Sequence, residues 1–298
     1  MSETFVHGLP PAIEHAQRLA SRLGVAMHPI EVHRFPDGEL RVAVGPVSET
    51  TLVYAPLAQP ADKLLALLFA AEAFRREGAR RLVLVAPYLC YMRQDTAFHK
   101  GEAISQKVVG SLLAGSFDRV ITVDAHLHRT KSLKDVFPHI ESDDLSAMPA
   151  IAEVLRAGTL SSKTVVVGPD EESRSWVGDL AGRLGLDHSV ARKSRGGDRS
   201  VEIAFADPGL FKGRPALLVD DIVSSGGTLI ACAKELTAAG VTTIDAVITH
   251  ALFAPELAVE FLRAGIRSVR STDSVPHPSN AIALDSVLAA ALRKEIGA

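Results

Sequence analysis

The segment Asp220-Asp221-Ile222-Val223-Ser224-Ser225-Gly226-Gly227-Thr228 sets two adjacent carboxylates before a loop of small hydroxyl and glycine residues. Backbone amides of such a loop wrap a phosphate, above all where a helix starts just beyond. Paired acids at a strand end suit vicinal ribose hydroxyls, which donate to carboxylate oxygens. The combination points to a ribose phosphate site. The plainer reading is an acidic strand end followed by an ordinary turn.

Other segments carry further chemistry. Arg34-Phe35-Pro36-Asp37-Gly38-Glu39 is a turn by its Pro and Gly, and taken alone it reads as a surface hairpin. Phe35 can nonetheless stack on a purine, while Asp37 and Glu39 can accept from an exocyclic amine or a ribose hydroxyl. Within Pro87 to Asp95, Arg93 offers a planar fork to phosphate oxygens, and Gln94 can donate and accept. Asp124-Ala125-His126-Leu127-His128 places two histidines on one side of an extended chain, beside a carboxylate. That cluster can hold a divalent cation, directly or through its waters. Magnesium prefers oxygen, so a histidine donating to metal-bound water or to phosphate is an equal reading. Asp170, in Gly168-Pro169-Asp170, offers a second anchor for a metal bridging two phosphates. Between Arg192 and Ser200, Lys193, Arg195 and Arg199 surround a Gly-Gly pair. This is either a solvated charged hairpin or a cationic flap that closes on a polyphosphate.

A scaffold must bring these groups to one edge. Leu82–Ala86, Val120–Val123, Thr164–Val167, Ala216–Val219 and Ile244–Thr249 are short β-branched runs suited to parallel strands covered on both faces. Helical patterns lie between them: 62–77 stops at Gly78, and 228–239 stops at Gly240. The alternation predicts an α/β chain with doubly wound sheets, whose sites lie at the carboxyl ends of strands. The polar, unpatterned segment Phe137–Asp144, followed by a helix-like stretch from near Leu145, sets a boundary between domains 1–143 and 144–298. Each half holds a similar strand–helix series, which hints at duplication. Ser286–Ile296 reads as a terminal helix packed back on the body.

Composition narrows the class. The chain has 298 residues, 47% of them hydrophobic, enough for two adjoining cores. A net charge of −3 argues against a nucleic-acid partner. No apolar run reaches bilayer length, and the opening residues lack a secretion signal, so a cytoplasmic protein is expected. Cys90 and Cys232 sit in apolar or small-residue settings and are expected to be buried, reduced thiols.

Taken in order, Phe35–Glu39, Pro87–Asp95, Thr122–His126, Gly168–Asp170, Lys193–Arg195, Asp220–Thr228 and Thr272–Pro276 resemble the ribose-phosphate diphosphokinase, or PRPP synthetase, family from about His7 to Ile296. The resemblance implies two tandem phosphoribosyltransferase-like domains, each a doubly wound, mainly parallel sheet. It implies ATP held by Phe35, Asp37, Gly38 and Glu39 of a neighbouring subunit and by Arg93, Gln94 and Asp95. A homodimer or higher homo-oligomer follows. Ribose 5-phosphate would bind Asp220, Asp221, Ser224, Ser225, Gly226, Gly227 and Thr228. Magnesium (Mg2+) would lie at His126 and Asp170, and Lys193 and Arg195 would be catalytic. The implied reaction moves the β,γ-diphosphoryl group of Mg-ATP to O1 of ribose 5-phosphate, giving 5-phosphoribosyl 1-diphosphate (PRPP) and AMP. Three departures stand out. Ser224 replaces an acid of many bacterial members, Phe98–Ser105 looks archaeal-like, and Glu171-Glu172-Ser173 replaces a small-residue stretch. The rival readings are a phosphoribosyltransferase that consumes PRPP, a non-catalytic regulatory homologue, and a diphosphokinase with a different sugar phosphate or nucleotide donor.

Overall fold

The computed structural model describes residues 4–297 apart from 197–199, and side chains apart from those of 193–202. Two compact units emerge: Met1–Ser146 with Ser274–Pro276 and Leu284–Ala298, and Ala147–Asp273 with His277–Ala283. A division at 143/144 would leave the last segment with the second unit, whereas its contacts place it in the first.

The first unit runs β1 (Thr4–Gly8), α1 (Ile13–Leu23), β2 (Ala26–Pro29), β3 (Glu31–Arg34), β4 (Leu40–Ala43) and β5 (Thr50–Tyr54). It continues through α2 (Pro60–Arg76), β6 (Arg81–Val85), α3 (Ser105–Ala114), β7 (Arg119–Val123), α4 (Leu133–Val136) and β8 (Glu141–Leu145). Its six-stranded sheet has the order β2-β1-β5-β6-β7-β8 and is parallel throughout. β3 and β4 form a separate antiparallel hairpin.

The second unit runs α5 (Met148–Ala157), β9 (Val165–Gly168), α6 (Arg174–Leu184), β10 (Asp187–Val190), β11 (Arg192–Gly196) and β12 (Ser200–Ala204). It continues through β13 (Ala216–Val223), α7 (Gly227–Ala238), β14 (Ile244–Ala251), α8 (Leu257–Arg263), β15 (Ile266–Thr272) and β16 (Asn280–Ile282). Its sheet is again parallel, in the order β10-β9-β13-β14-β15-β16, and β11 pairs with β12 as an antiparallel hairpin. In each unit the hairpin is inserted between the second and third sheet strands, so the duplication hinted at by the sequence is plain in the topology.

Why these segments pair is visible in their residues. Val83, Leu84, Val85, Val120 and Ile121 are fully buried, as central parallel strands must be when both faces are covered. β8 was expected as irregular linker but is a strand, Glu-Ser-Asp-Asp-Leu, pairing Arg119 with Glu141 and Thr122 with Asp144. An edge strand has one paired side, so it can form without an apolar run. Cys90 and Cys232 are free and buried, as expected. No helix among the described residues is long and apolar enough to cross a membrane.

The last segment, α9 (Asp285–Leu292) and the turn after it, is tied into the first unit by charge. The Arg119 side chain, 2% exposed, donates to Glu295 at 2.8 Å and pairs with Asp143 at 2.7 Å. Arg81 reaches Glu295 at 2.7 Å. Burial works against the Glu295 carboxylate, but the hydrogen bonds from Arg81 and Arg119 hold its pKa below the usual range.

His7 is fully buried on β1, its ring 4.6 Å from Phe74 and 5.5 Å from His28. Burial, helped by the nearby His28, lowers its pKa from 6.5 to about 4. The unfolded chain therefore binds the proton more readily, and stability falls as pH drops from 6.5 to about 4. His7→Phe should flatten that limb of a plot of melting temperature against pH, and an unchanged slope would show that other groups set acid stability.

Candidate active site

In the second unit the sheet order reverses between β9 and β13, and ligands of open α/β sheets bind outside the carboxyl ends at such a reversal. The residues at these two ends are Asp170 and the 220–228 loop. Both Asp170 and Asp220 act on the same buried thiol: burial first, then the charges of Asp220 and Asp170, push the Cys232 pKa up. β9 and β13 lie side by side, Val167 opposite Leu218, so the two strand ends are neighbours.

Asp170 caps a short 3-10 helix, with Oδ1 accepting from the amides of Glu172 at 3.1 Å and Ser173 at 3.3 Å. Gly168 allows this bend, because a Cβ there would meet Ser173 Oγ at 1.9 Å. Glu171 and Glu172 are exposed in the helix's first turn, and Glu171 pairs with Arg174 at 2.6 Å.

β13 does not stop before the acids; it runs through both to Val223, because β14 extends equally far beside it. Neighbouring strand residues leave on opposite faces, so Asp220 is half-buried on one side and Asp221 buried on the other. After the strand, Ser224 and Ser225 are exposed and Gly226 turns the chain at φ +72° into α7. Any side chain at Gly226 would meet Leu257 at 2.6 Å and Phe261 at 2.7 Å. The loop therefore ends on the exposed amides of a twelve-residue helix.

In the first unit the decorated ends belong to the adjacent strands β6 and β7, away from the reversal between β1 and β5. After β6, Tyr91 takes a left-handed φ of +62°, Arg93 is exposed and Gln94 half-buried. The Asp95 carboxylate is turned inward, 1% exposed, accepting from the Arg129 amide at 2.9 Å and guanidinium at 3.0 Å. Burial opposes its charge, but Arg129 outweighs burial and lowers its pKa. After β7, Asp124 takes φ +40°, and the Ala125 amide donates to Asp144 at 2.9 Å. Burial raises the Asp144 pKa to about 6 against that bond. The His126 and His128 rings lie edge to face, 5.7 Å apart. Gln106, Arg129, Thr130 and Asp144, which hold these loops, gave no local signal in the sequence.

The hairpins carry the remaining candidates. Phe35, Asp37, Gly38 and Glu39 form the tip between β3 and β4, closed by Phe35 N–H to Glu39 O at 2.8 Å. Gly38 takes φ +93°, and the Glu39 amide donates to Asp37 Oδ1 at 3.1 Å. Phe35 is 40% exposed with its face edged by His33 at 4.8 Å. Lys193 and Arg195 lie on β11, opposite Ile203 and Val201 in the register, and their side chains fall outside the described residues.

Among the described residues no three His, Cys, Asp or Glu side chains group as a metal cage. Magnesium needs none: it keeps waters and takes one or two carboxylates with substrate phosphates. Asp170, an oxygen donor at a strand end next to the one that bears the 224–228 loop, fits that requirement. His126 suits it only through water.

Residues 10–116 match the N-terminal domain of ribose phosphate pyrophosphokinase, and 147–281 match the phosphoribosyl transferase domain. A ribose-phosphate pyrophosphokinase of Methanopyrus kandleri is 31% identical, over 96% of this chain and 97% of that one. Ribose-phosphate pyrophosphokinase 2 of Archaeoglobus fulgidus is 32% identical over 92% and 94%. The crystal structure of phosphoribosylpyrophosphate synthetase from Mycobacterium smegmatis superposes with a TM-score of 0.86 over 99% of both chains, at 23% identity, and so shares the fold.

The geometry at Gly226 sets a test of the loop. Gly226→Ala adds a Cβ against Leu257 and Phe261 in a left-handed conformation. Calorimetry should show ribose 5-phosphate binding weakened at least about tenfold, with stability lower by roughly 1–3 kcal/mol. Unchanged binding would mean that the loop is not the phosphate cradle.

Proposed function

The chain belongs to the ribose-phosphate pyrophosphokinase family, and from that membership we propose that it transfers the β,γ-diphosphoryl group of ATP to O1 of ribose 5-phosphate, giving PRPP and AMP. The observation that carries the reading is the adjacency of the β9 and β13 ends, which bear Asp170 and the 220–228 loop, at the sheet reversal of the second unit. An anionic sugar phosphate meets helix amides there, next to oxygen donors suited to magnesium.

In this reading the amides of Ser224 to Thr228 and the α7 N-terminus hold the 5-phosphate. Asp220 orients the ribose from the half-buried face of β13, while Asp221, on the opposite, buried face, accepts from the Ile222 amide and supports the strand end. Arg93 and Gln94 bind the nucleotide, and Asp95 keeps their loop in place through Arg129. Phe35, with Asp37, Gly38 and Glu39, completes the adenine end in a neighbouring subunit of a homodimer or larger assembly. Magnesium would be held in the second unit by the Asp170 carboxylate, and would supply charge neutralisation for the polyphosphate and acidity for the 1-hydroxyl. The O1–Pβ bond forms as the bond from Pβ to the Pα-bridging oxygen breaks in line. The hydroxyl proton is released, and AMP leaves with the bridging oxygen. Lys193 and Arg195 place positive charge on the transferring group and on that departing oxygen. The two reduced thiols agree with work in the cytoplasm.

A transferase consuming PRPP would need the second unit alone, and a non-catalytic homologue would have no use for Lys193 and Arg195. Incubation with Mg-ATP and ribose 5-phosphate should yield AMP and PRPP in equal amounts, and AMP without PRPP would sink the reading. Lys193→Ala should lower kcat at least about 100-fold while leaving ribose 5-phosphate affinity within about twofold. A kcat within a few fold of wild type would remove Lys193 from the mechanism.

A further inference from the structure

Gln106 is 4% exposed at the start of α3, and it touches both decorated loops of the first unit. Its Nε2 donates to Met92 O at 3.2 Å, and its Oε1 accepts from Thr130 Oγ1 at 2.8 Å. Its backbone N–H donates to Gln94 O at 3.2 Å. A carbonyl such as Met92 O only accepts, which fixes the amide with nitrogen toward Met92 and oxygen toward Thr130. A leucine of similar volume could make neither side-chain bond, and a glutamate could not donate to Met92.

Two independent features show why such a tie is needed. Each loop opens on a non-glycine residue in the left-handed region, Tyr91 at φ +62° and Asp124 at φ +40°. Such conformations are strained for a residue with a side chain and persist only where surroundings over-determine them. Meanwhile the 124–130 loop is gripped at both ends. Its start is held by β8, with Asp124 N–H to Leu145 O at 2.8 Å and Ala125 N–H to Asp144 at 2.9 Å. Its end is held by Gln106 and by the Asp95–Arg129 contact, and Arg129 also lies over the Phe98 ring at 5.4 Å. His126 and His128 sit between the grips.

We propose that Gln106 is a positioning residue that locks the 92–95 loop to the 124–130 loop, so that the nucleotide-holding and metal-side groups of this unit act as one preorganised body. The inference rests on the proposed function in taking MgATP as the ligand. Gln106 and Thr130 touch no substrate; they act by fixing the backbone that carries Arg93, Gln94 and His126. Preorganisation of this kind is worth affinity because the ligand no longer has to order two loops.

Three variants test it: Thr130→Val, which removes the hydroxyl and keeps the shape; Thr130→Ser, which restores the hydroxyl; and Gln106→Glu, which removes the donor. MgATP and ribose 5-phosphate affinities are read by titration calorimetry well below each variant's melting temperature, alongside kcat and KM. T130V and Q106E should weaken MgATP binding by about fivefold or more, the effect of one lost hydrogen bond. Ribose 5-phosphate affinity should stay within about twofold, and T130S should bind MgATP within about twofold of wild type. T130V binding MgATP within twofold of wild type, or T130S as weak as T130V, overturns the proposal. Should Q106E not fold, the valine and serine pair decides alone. Wild type that binds MgATP but makes no PRPP defeats the proposed reaction and leaves the calorimetry to judge Gln106. Wild type that binds no MgATP defeats both.

Discussion

A parallel strand cannot turn straight back onto its neighbour; the chain must leave its carboxyl end through a loop and return by a crossover. Both units obey this constraint throughout their sheets, and most of what is chemically interesting follows from it. The central strands are mostly apolar on both faces and admit few polar groups, such as His7, Arg119 and Asp221. The rest collect in the loops, which all emerge along one edge of a sheet. The two units use that edge differently. The second places its acids and its amide-rich loop where the strand order reverses, between β9 and β13. The first hangs its loops on the neighbours β6 and β7 and ties them to each other through side chains.

The legible parts of the sequence were those where one local pattern sufficed. Runs such as Leu82–Ala86 and Thr164–Val167 are β-branched and short, and Gly78 and Gly240 stop helices, so the α/β class and the strand ends could be read directly. The small-residue loop at 224–228 was legible for the same reason. β8 was not, because an edge strand paired on one side can be built from Glu, Ser and Asp. The reach of β13 through Asp220 and Asp221 was hidden too, since it depends on the length of β14. Gln106 shows the limit most clearly. Its meaning lies in partners 14 and 24 residues away, and nothing in its own neighbourhood marks it.

The two units repeat one order of parts, with the hairpin in the same slot each time. The first hairpin carries Phe35, Asp37 and Glu39 at its tip; the second carries Lys193 and Arg195 on its leading strand. One architectural position has thus come to hold aromatic and acidic groups in one copy and basic groups in the other. An aromatic and acceptor tip suits a nucleobase, and a cationic strand suits polyphosphate. The same shape can serve either, because a hairpin projects side chains without asking the sheet beneath to change.

The Arg119–Glu295 pair gives the chain an order of assembly. Residues 284–298 complete the first unit, so in sequence the second unit is an insertion within the first. During synthesis the second unit's sheet can close once residue 283 has emerged, while the first still lacks Glu295, one of the two acids paired with Arg119. Domains generally fold as units as the chain emerges. Here the part begun first must be finished last. Until then Arg119 has Asp143 but lacks Glu295 and the cover of the last segment, so the first unit closes without part of its buried charge network.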